Sequence, residues 1–283
     1  MKTATLERTV KTVGLYAGLA ILLLFLAFPI YYMFITSFKS PGEAYRLPPT
    51  LFPLKPTLDA YPYVLQQWAY WRTLFNTVLV AGGSALLATI IGGISAYGFS
   101  RMEFQGKSLL YAVLIGTIAI PAMVTLGPIF ITYKNLNMLD THVGLILVFV
   151  AEGMPMAFLT LFSYFKAIPR QLDEAAYIDG AGFVGTFFRI IMPLAIPGFS
   201  VTFLLLFIGF WNEFLFAFTL TVTPEVRLLT VRLFEVPARE NVNAVPYDLI
   251  AAGGVLILLP LVPLLLKVRD QLVEGILAGA IKD

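Results

Sequence analysis

The sequence predicts an all-α polytopic membrane protein with six transmembrane helices. Three observations carry this. Hydrophobic residues make up 59% of the 283 and charged residues 13%, about half the charged share of an average soluble protein. Six apolar runs are each long enough to cross the hydrocarbon, which takes roughly 20 helical residues. Between the fourth and fifth runs lies one charged, helix-forming and sharply punctuated stretch, residues 169–198.

The first span covers residues 13–36 and is apolar throughout. A cleaved signal peptide has a shorter apolar core and a small-residue cleavage site, so this run reads as a true span. Tyr31 and Tyr32 suit its outer interface. Residues 37–71 are polar and rich in proline and aromatics, which predicts a structured surface loop or a docking surface for a soluble partner. The second span is 73–99. Ser84, Ala88, Gly92 and Ala96 recur along it every four residues, and such a stripe lets a helix of this chain or of another subunit approach closely. Residues 108–133 form the third span, interrupted by Pro121, Gly127 and Pro128. Breaks of this kind are tolerated at membrane depth where protein or a cavity supplies partners. The fourth span, 142–165, contains Glu152 and Pro155, and His142 opens it as a surface residue. The fifth, about 198–222, contains Trp211, Asn212 and Glu213, and the sixth is about 248–266. A second polar loop, 223–247, carries Arg227, Arg232, Glu235, Arg239 and Glu240.

The stretch 169–198 is read from its punctuation. Pro169 suits a first helical turn, whose donors have no partner within the helix. Asp173 and Glu174 lie near the positive end of the helix dipole. Ala175 and Ala176 are small and helix-favouring. Asp179-Gly180 stops the helix, because glycine takes a left-handed conformation without a Cβ clash. A second short helix follows with Phe187, Phe188, Ile190 and Ile191 on its apolar side. Pro193 is expected to end it, and Pro197-Gly198 to redirect the chain into the fifth span. Glu174 and Ile178 share one face of the first helix.

Glu174, Ala175, Ala176, Asp179, Gly180, Ala181, Phe187, Ile190, Pro193, Leu194 and Pro197 together resemble the EAA loop of ABC-transporter permeases. The likeness extends over nearly the whole chain. NTVLVAGGSALLATIIGGISAYGFSRMEF, WNEFLFAFTL and the ending GILAGAIKD are similar to carbohydrate-uptake permeases, most of all to the shorter, maltose-G-like subunit of the permease pair. The resemblance implies a type-1 ABC importer (MetI-like) permease fold in one membrane domain, 1–283. Its five-span core would be 70–266, its cytoplasmic coupling loop 166–195 and its cytoplasmic tail 267–283. It further implies a maltose-F-like second permease, two ABC ATPase subunits that hold ATP and magnesium, and an extracytoplasmic solute-binding protein that delivers a sugar. Glu174, Ala175, Ala176, Ile178, Asp179, Gly180 and Ala181 would then couple to an ATPase. Glu274 and Asp283 depart from the usual tail.

Eleven of the nineteen Lys and Arg fall in the N-terminal segment, the 100–107 turn, the 166–195 loop and the tail. That weak bias places both termini on the cytoplasmic side of a bacterial or archaeal plasma membrane, as the resemblance also implies. A net charge of +2 argues for no nucleic-acid partner, and the absence of cysteine excludes thiolate metal sites and cysteine nucleophiles. Gly106-Lys107-Ser108 ends like a phosphate-binding loop, but Arg101 stands where that loop requires glycine. One histidine permits no HExxH zinc motif. The sequence therefore predicts no catalytic residue, no metal site and no cofactor in this chain, which is not an enzyme, so its energy comes from a partner or a gradient. Glu152 and Glu213 are costly in hydrocarbon unless paired, protonated or facing water. With Trp211 and Asn212 they are the candidate substrate path. The rival reading is a gradient-driven secondary transporter, which has no reason to keep a helix shaped for an ATPase.

Overall fold

The computed structural model describes residues 2–236 and 245–267, with side chains from Lys11 onward. The loop residues Arg239 and Glu240 and the tail residues Glu274 and Asp283 lie outside the described residues. The described chain is helical. Its elements are α1 (Lys2–Thr36), α2 (Pro41–Ala44), α3 (Ala60–Gln67), α4 (Tyr70–Arg101), α5 (Lys107–Ile118), α6 (Ala122–Asn135), α7 (His142–Ala167), α8 (Gln171–Ile178), α9 (Phe183–Thr186), a π-turn (Phe187–Ile191), α10 (Met192–Trp211), α11 (Leu215–Leu220), α12 (Leu229–Phe234) and α13 (Tyr247–Leu258). Five helical stretches are long and apolar enough to cross a membrane: Lys11–Thr36, Tyr70–Arg101, His142–Ala167, Phe183–Trp211 and Tyr247–Lys267. α5 and α6 are together long and apolar enough for a further span, and are bent by 98° at their junction, so the described residues hold five or six candidate crossings. Pro121 stands at that bend with extended backbone, φ −61° and ψ 134°, and has no N–H to carry the helical ladder across.

The chain forms two compact units, residues 1–70 with 235–261, and 71–234 with 262–283. In the first, α13 packs against α1, α2 and α3. The apolar side chains along most of Lys11–Thr36 are uncovered by the described residues. Residues 37–70 are tightly folded. Lys39 Nζ, buried, donates to the Thr50 carbonyl at 2.7 Å and lies over the Tyr32 ring. Glu43 accepts from Thr50 Oγ1 and from Leu54 N, both at 2.8 Å. Burial pushes the Glu43 carboxyl up, but these bonds, one from the Lys55 backbone and the Lys39 charge outweigh it and leave it below its ordinary value.

In the second unit α7 is the central helix, packed on α10, α5 and α11. The small stripe of α4 faces inward in this same chain: Ser84, Ala88 and Ala96 are wholly buried. A Cβ placed on Gly92 would stand 2.6 Å from Ala157 Cβ, and one on Gly93 would stand 2.5 Å from the Phe199 ring. Tyr97, Phe158, Leu161, Phe165, Phe187 and Ile191 fill the core below that crossing.

The fifth span differs from the sequence expectation. Pro193 ends no helix; Phe183–Trp211 runs as one apolar helical stretch. Pro193 cannot donate to the carbonyl four residues back. The preceding turn widens instead to π geometry, with Met192 N–H bonded to the Phe187 carbonyl, and the helix continues. The stretch stops at Trp211, eleven residues before the expected end at 222. Asn212 closes the last turn, and its Nδ2 donates to the Ile208 carbonyl at 2.7 Å.

His142 also departs from expectation. It is half-buried rather than superficial, with Nε2 3.0 Å from Asn76 Oδ1. The Asn76 amide in turn donates to the carbonyls of Glu225 and Arg227, at 2.7 and 3.2 Å. Asp140 accepts from the backbone N–H of Val222 and Thr223, at 2.8 and 2.9 Å. This network joins the start of α4, the start of α7 and the 221–229 loop.

Candidate coupling and translocation sites

Helix α8 is a short helix with one buried and one exposed face. Its termination is a Schellman motif: Ala181 N–H bonds the Ala176 carbonyl at 2.9 Å, and Gly180 N–H bonds the Tyr177 carbonyl at 3.1 Å. Gly180 supplies the required left-handed backbone with φ +83°. Only Asp173 and Ala176 are buried on this helix. Glu174, Ala175, Tyr177, Ile178, Asp179 and Gly180 are exposed. Glu174 and Ile178 thus lie together on an outward face, and Ile178 is 87% exposed.

The inward face carries residues that the sequence reasoning passed over. Asp173 Oδ2 lies 2.9 Å from Arg101 Nε, with side chains 6% and 7% exposed. Asp173 Oδ1 accepts from the Tyr97 hydroxyl at 2.7 Å. Arg101 Nη2 donates to the Ile168 carbonyl at 3.0 Å, and Arg170 Nη2 donates to the Ser100 carbonyl at 3.1 Å. The Tyr97 ring packs against Phe183, Phe187 and Phe165, with centroids 4.9, 4.8 and 5.6 Å away. The available signal was spacing. Asp173 and Ala176 are three apart and share a face, and a basic residue at the end of a long apolar run invites an acidic partner.

The path residues divide. Glu152 on α7 stands within electrostatic reach of Glu213. The Glu213 carboxylate accepts from the N–H of Phe216 and Ala217, at 2.8 and 3.1 Å, and so caps α11. Asn212 is exposed. Trp211 is turned inward, 2% exposed, with its ring 5.6 Å from that of Phe207. Its indole Nε1 is buried without a hydrogen-bond partner among the described residues. Within this chain, therefore, Asn212 and Glu152 are open while Trp211 is covered. Lys107, at the end of the phosphate-loop-like run, is occupied by Glu103 Oε1 at 2.9 Å and the Met102 carbonyl at 2.8 Å.

Residues 88–274, which include α8 and the Glu152 and Glu213 sites, match the family described as binding-protein-dependent transport system inner membrane component. The chain belongs to that family. Similar curated proteins span its full length. The inner membrane ABC transporter permease protein YcjP of Escherichia coli is 32% identical over 99% of both chains. The trehalose/maltose transport system permease protein MalG of Thermococcus litoralis is 32% identical over 98% of this chain and 99% of its own. The sulfoquinovosyl glycerol transport system permease protein SmoH of Agrobacterium fabrum is 31% identical over 94% of this chain and 93% of its own. A crystal structure of a bacterial ABC transporter involved in the import of the acidic polysaccharide alginate contains a chain of the same fold. Its TM-score is 0.78 at 24% identity, over 92% of this chain and 96% of that one. The protein is thus a multi-pass ABC importer permease.

Proposed function

We propose that this permease forms half of the translocation path of an ATP-driven importer for a sugar delivered by an extracytoplasmic solute-binding protein. The carrying observation is the two-faced geometry of α8. Its Asp173 face is tied into the permease, while Glu174, Ala175 and Ile178 face outward, uncovered by the described residues. A helix so built inserts into a groove on another protein. Glu174 offers one charge, Ile178 one apolar contact, and Ala175 keeps the entering face slim; Asp179, Gly180 and Ala181 hold the exit angle. The groove belongs to one of two ABC ATPase subunits, which bind ATP and magnesium. This chain itself holds no cofactor and performs no hydrolysis.

The sugar assignment rests on the relatives, which are named for trehalose/maltose and sulfoquinovosyl glycerol transport. Glu152 and Asn212 are its contacts on the path, with Glu213 holding the break between α10 and α11 and Trp211 backing it. The uncovered apolar length of α1 lies against lipid or the maltose-F-like second permease. The test is reconstitution of the permease pair with ATPase and binding protein in proteoliposomes. Uptake should require ATP and rise with the binding protein's own sugar. Uptake that follows an ion gradient without ATPase subunits would establish the secondary-transporter reading instead.

Both termini are placed in the cytoplasm. The chain has no native cysteine, so single introduced thiols report cleanly. Pro49→Cys and Gln171→Cys are both at exposed positions. An impermeant maleimide added to intact cells should label the first and spare the second; the reverse pattern would invert the topology.

A further inference from the structure

We infer that Asp173, Arg101 and Tyr97 form a buried joint through which movement of α8 is passed to α4, with Asp173 as the positioning residue. This deepens the proposed coupling role of α8 and rests on it. Helix α8 has eight residues and buries only two of them, Asp173 and Ala176. Leu172 and Tyr177 are partly covered and add apolar contact, and the Asp173 carboxylate is the one buried charged group that the helix contributes. Oδ1 accepts from the Tyr97 hydroxyl, and Oδ2 is ion-paired at 2.9 Å with Arg101 Nε, a contact of charge rather than an aligned hydrogen bond. Removed from water, such a pair is stronger and more geometrically demanding than a surface pair. Arg101 and Arg170 then stitch across the joint in opposite directions, to the carbonyls of Ile168 and Ser100. The last turn of α4 is thus bonded on both sides of Pro169.

What receives the motion matters as much as what sends it. Helix α4 runs from Arg101 back to Tyr70 as one helix of 32 residues, about 48 Å at 1.5 Å per residue. The α5–α6 pair is bent by 98°, and α10 gives way to α11 beyond Trp211. A push on the Arg101 end of α4 is carried rigidly along its whole length, whereas those paths bend at their breaks. Tyr97 also touches Phe183 and Phe187, so the elements that follow α8 move with the same hub.

The test separates transmission from simple retention of α8. Asp173→Asn keeps the size and one acceptor but removes the charge facing Arg101. In the assembled transporter it should leave ATPase attachment within twofold of wild type, because the outward face of α8 is untouched. Sugar transported per ATP should fall at least tenfold. Arg101→Lys, which keeps the charge and loses the fork to Ile168, should fall less. Tyr97→Phe, which keeps the ring, should lose two- to threefold. Normal transport per ATP in Asp173→Asn overturns the joint. So does a loss of transport that merely follows a loss of attached ATPase. A second measurement needs no ATPase: spin labels at Leu86→Cys and Ile178→Cys in the purified permease. Their distance distribution should be narrow with Asp173 and broad with Asp173→Asn, and equal widths overturn the joint. Broadening in the isolated permease together with ATP-independent uptake would leave the joint standing and defeat the coupling reading.

Discussion

Replacing Gly180 by proline is expected to leave the permease inserted in the membrane and to abolish sugar-stimulated ATP hydrolysis in the assembled transporter. Gly180 has φ +83°, whereas a proline ring holds φ near −65°. The substitution also deletes the N–H that bonds the Tyr177 carbonyl. The Schellman turn therefore cannot form, and the chain leaves α8 in another direction. Alanine at the same site is the informative control. Nothing lies within 4 Å of a Cβ there, so its cost is the left-handed strain alone, about 1–2 kcal/mol, and turnover should be partly kept. Ala175→Trp should resemble proline by blocking entry of the exposed face into its groove. Glu174→Ala should be milder, since one exposed charge contact contributes about 0.2–1 kcal/mol. Bound ATPase and sugar-dependent turnover are the two readings to take on each variant. Wild-type turnover with Gly180→Pro would reduce α8 to a connector.

Gly92→Leu is expected to be the most damaging single change to the fold. A Cβ at Gly92 meets Ala157 Cβ at 2.6 Å and the backbone C of Ala157 and N of Phe158 at 3.2 Å. Backbone cannot rotate away as a side chain can, so α4 and α7 must separate. Overpacking of a well-filled core costs about 1–3 kcal/mol where side chains can shift, and here the cost lies at or above the top of that range. The crossing also sets the Phe158, Leu161 and Phe165 layer against Tyr97, so the damage spreads to the anchor of α8. Detergent-solubilised protein should show a large fall in midpoint temperature and a loss of monodisperse yield. Gly98→Leu on the same helix, with nothing within 4 Å of its Cβ, should behave as wild type. Equal stability of Gly92→Leu and wild type would contradict the close crossing.

Much of this was legible because it depends on neighbours along the chain. Long apolar runs must be helices in hydrocarbon, where every backbone polar group needs an internal partner. A glycine after a helical turn, followed by a small residue, closes a Schellman motif from local geometry alone, and Gly180 does so. Pro121 is one of the breaks expected in the third span, and the chain turns there, whereas Gly127 and Pro128, read the same way, lie inside α6.

Tertiary packing decided the rest. Asp173 and Glu174 are adjacent acids at one helix start, yet neighbouring residues point about 100° apart; only the position of Arg101 turns one into a buried anchor and leaves the other exposed. The small stripe of α4 identifies no partner by itself, and Ala157 of the same chain takes the place beside Gly92. Pro193 reads as a helix end, but packing of Phe187 and Ile191 in the core keeps the axis and shifts the strain into a π-turn. Glu213 reads as a path charge until the helix it caps is seen, and Trp211 as a path residue until its burial is seen. In each case the residue type sets what a side chain can do, and contacts from distant parts of the chain select which of those things it does.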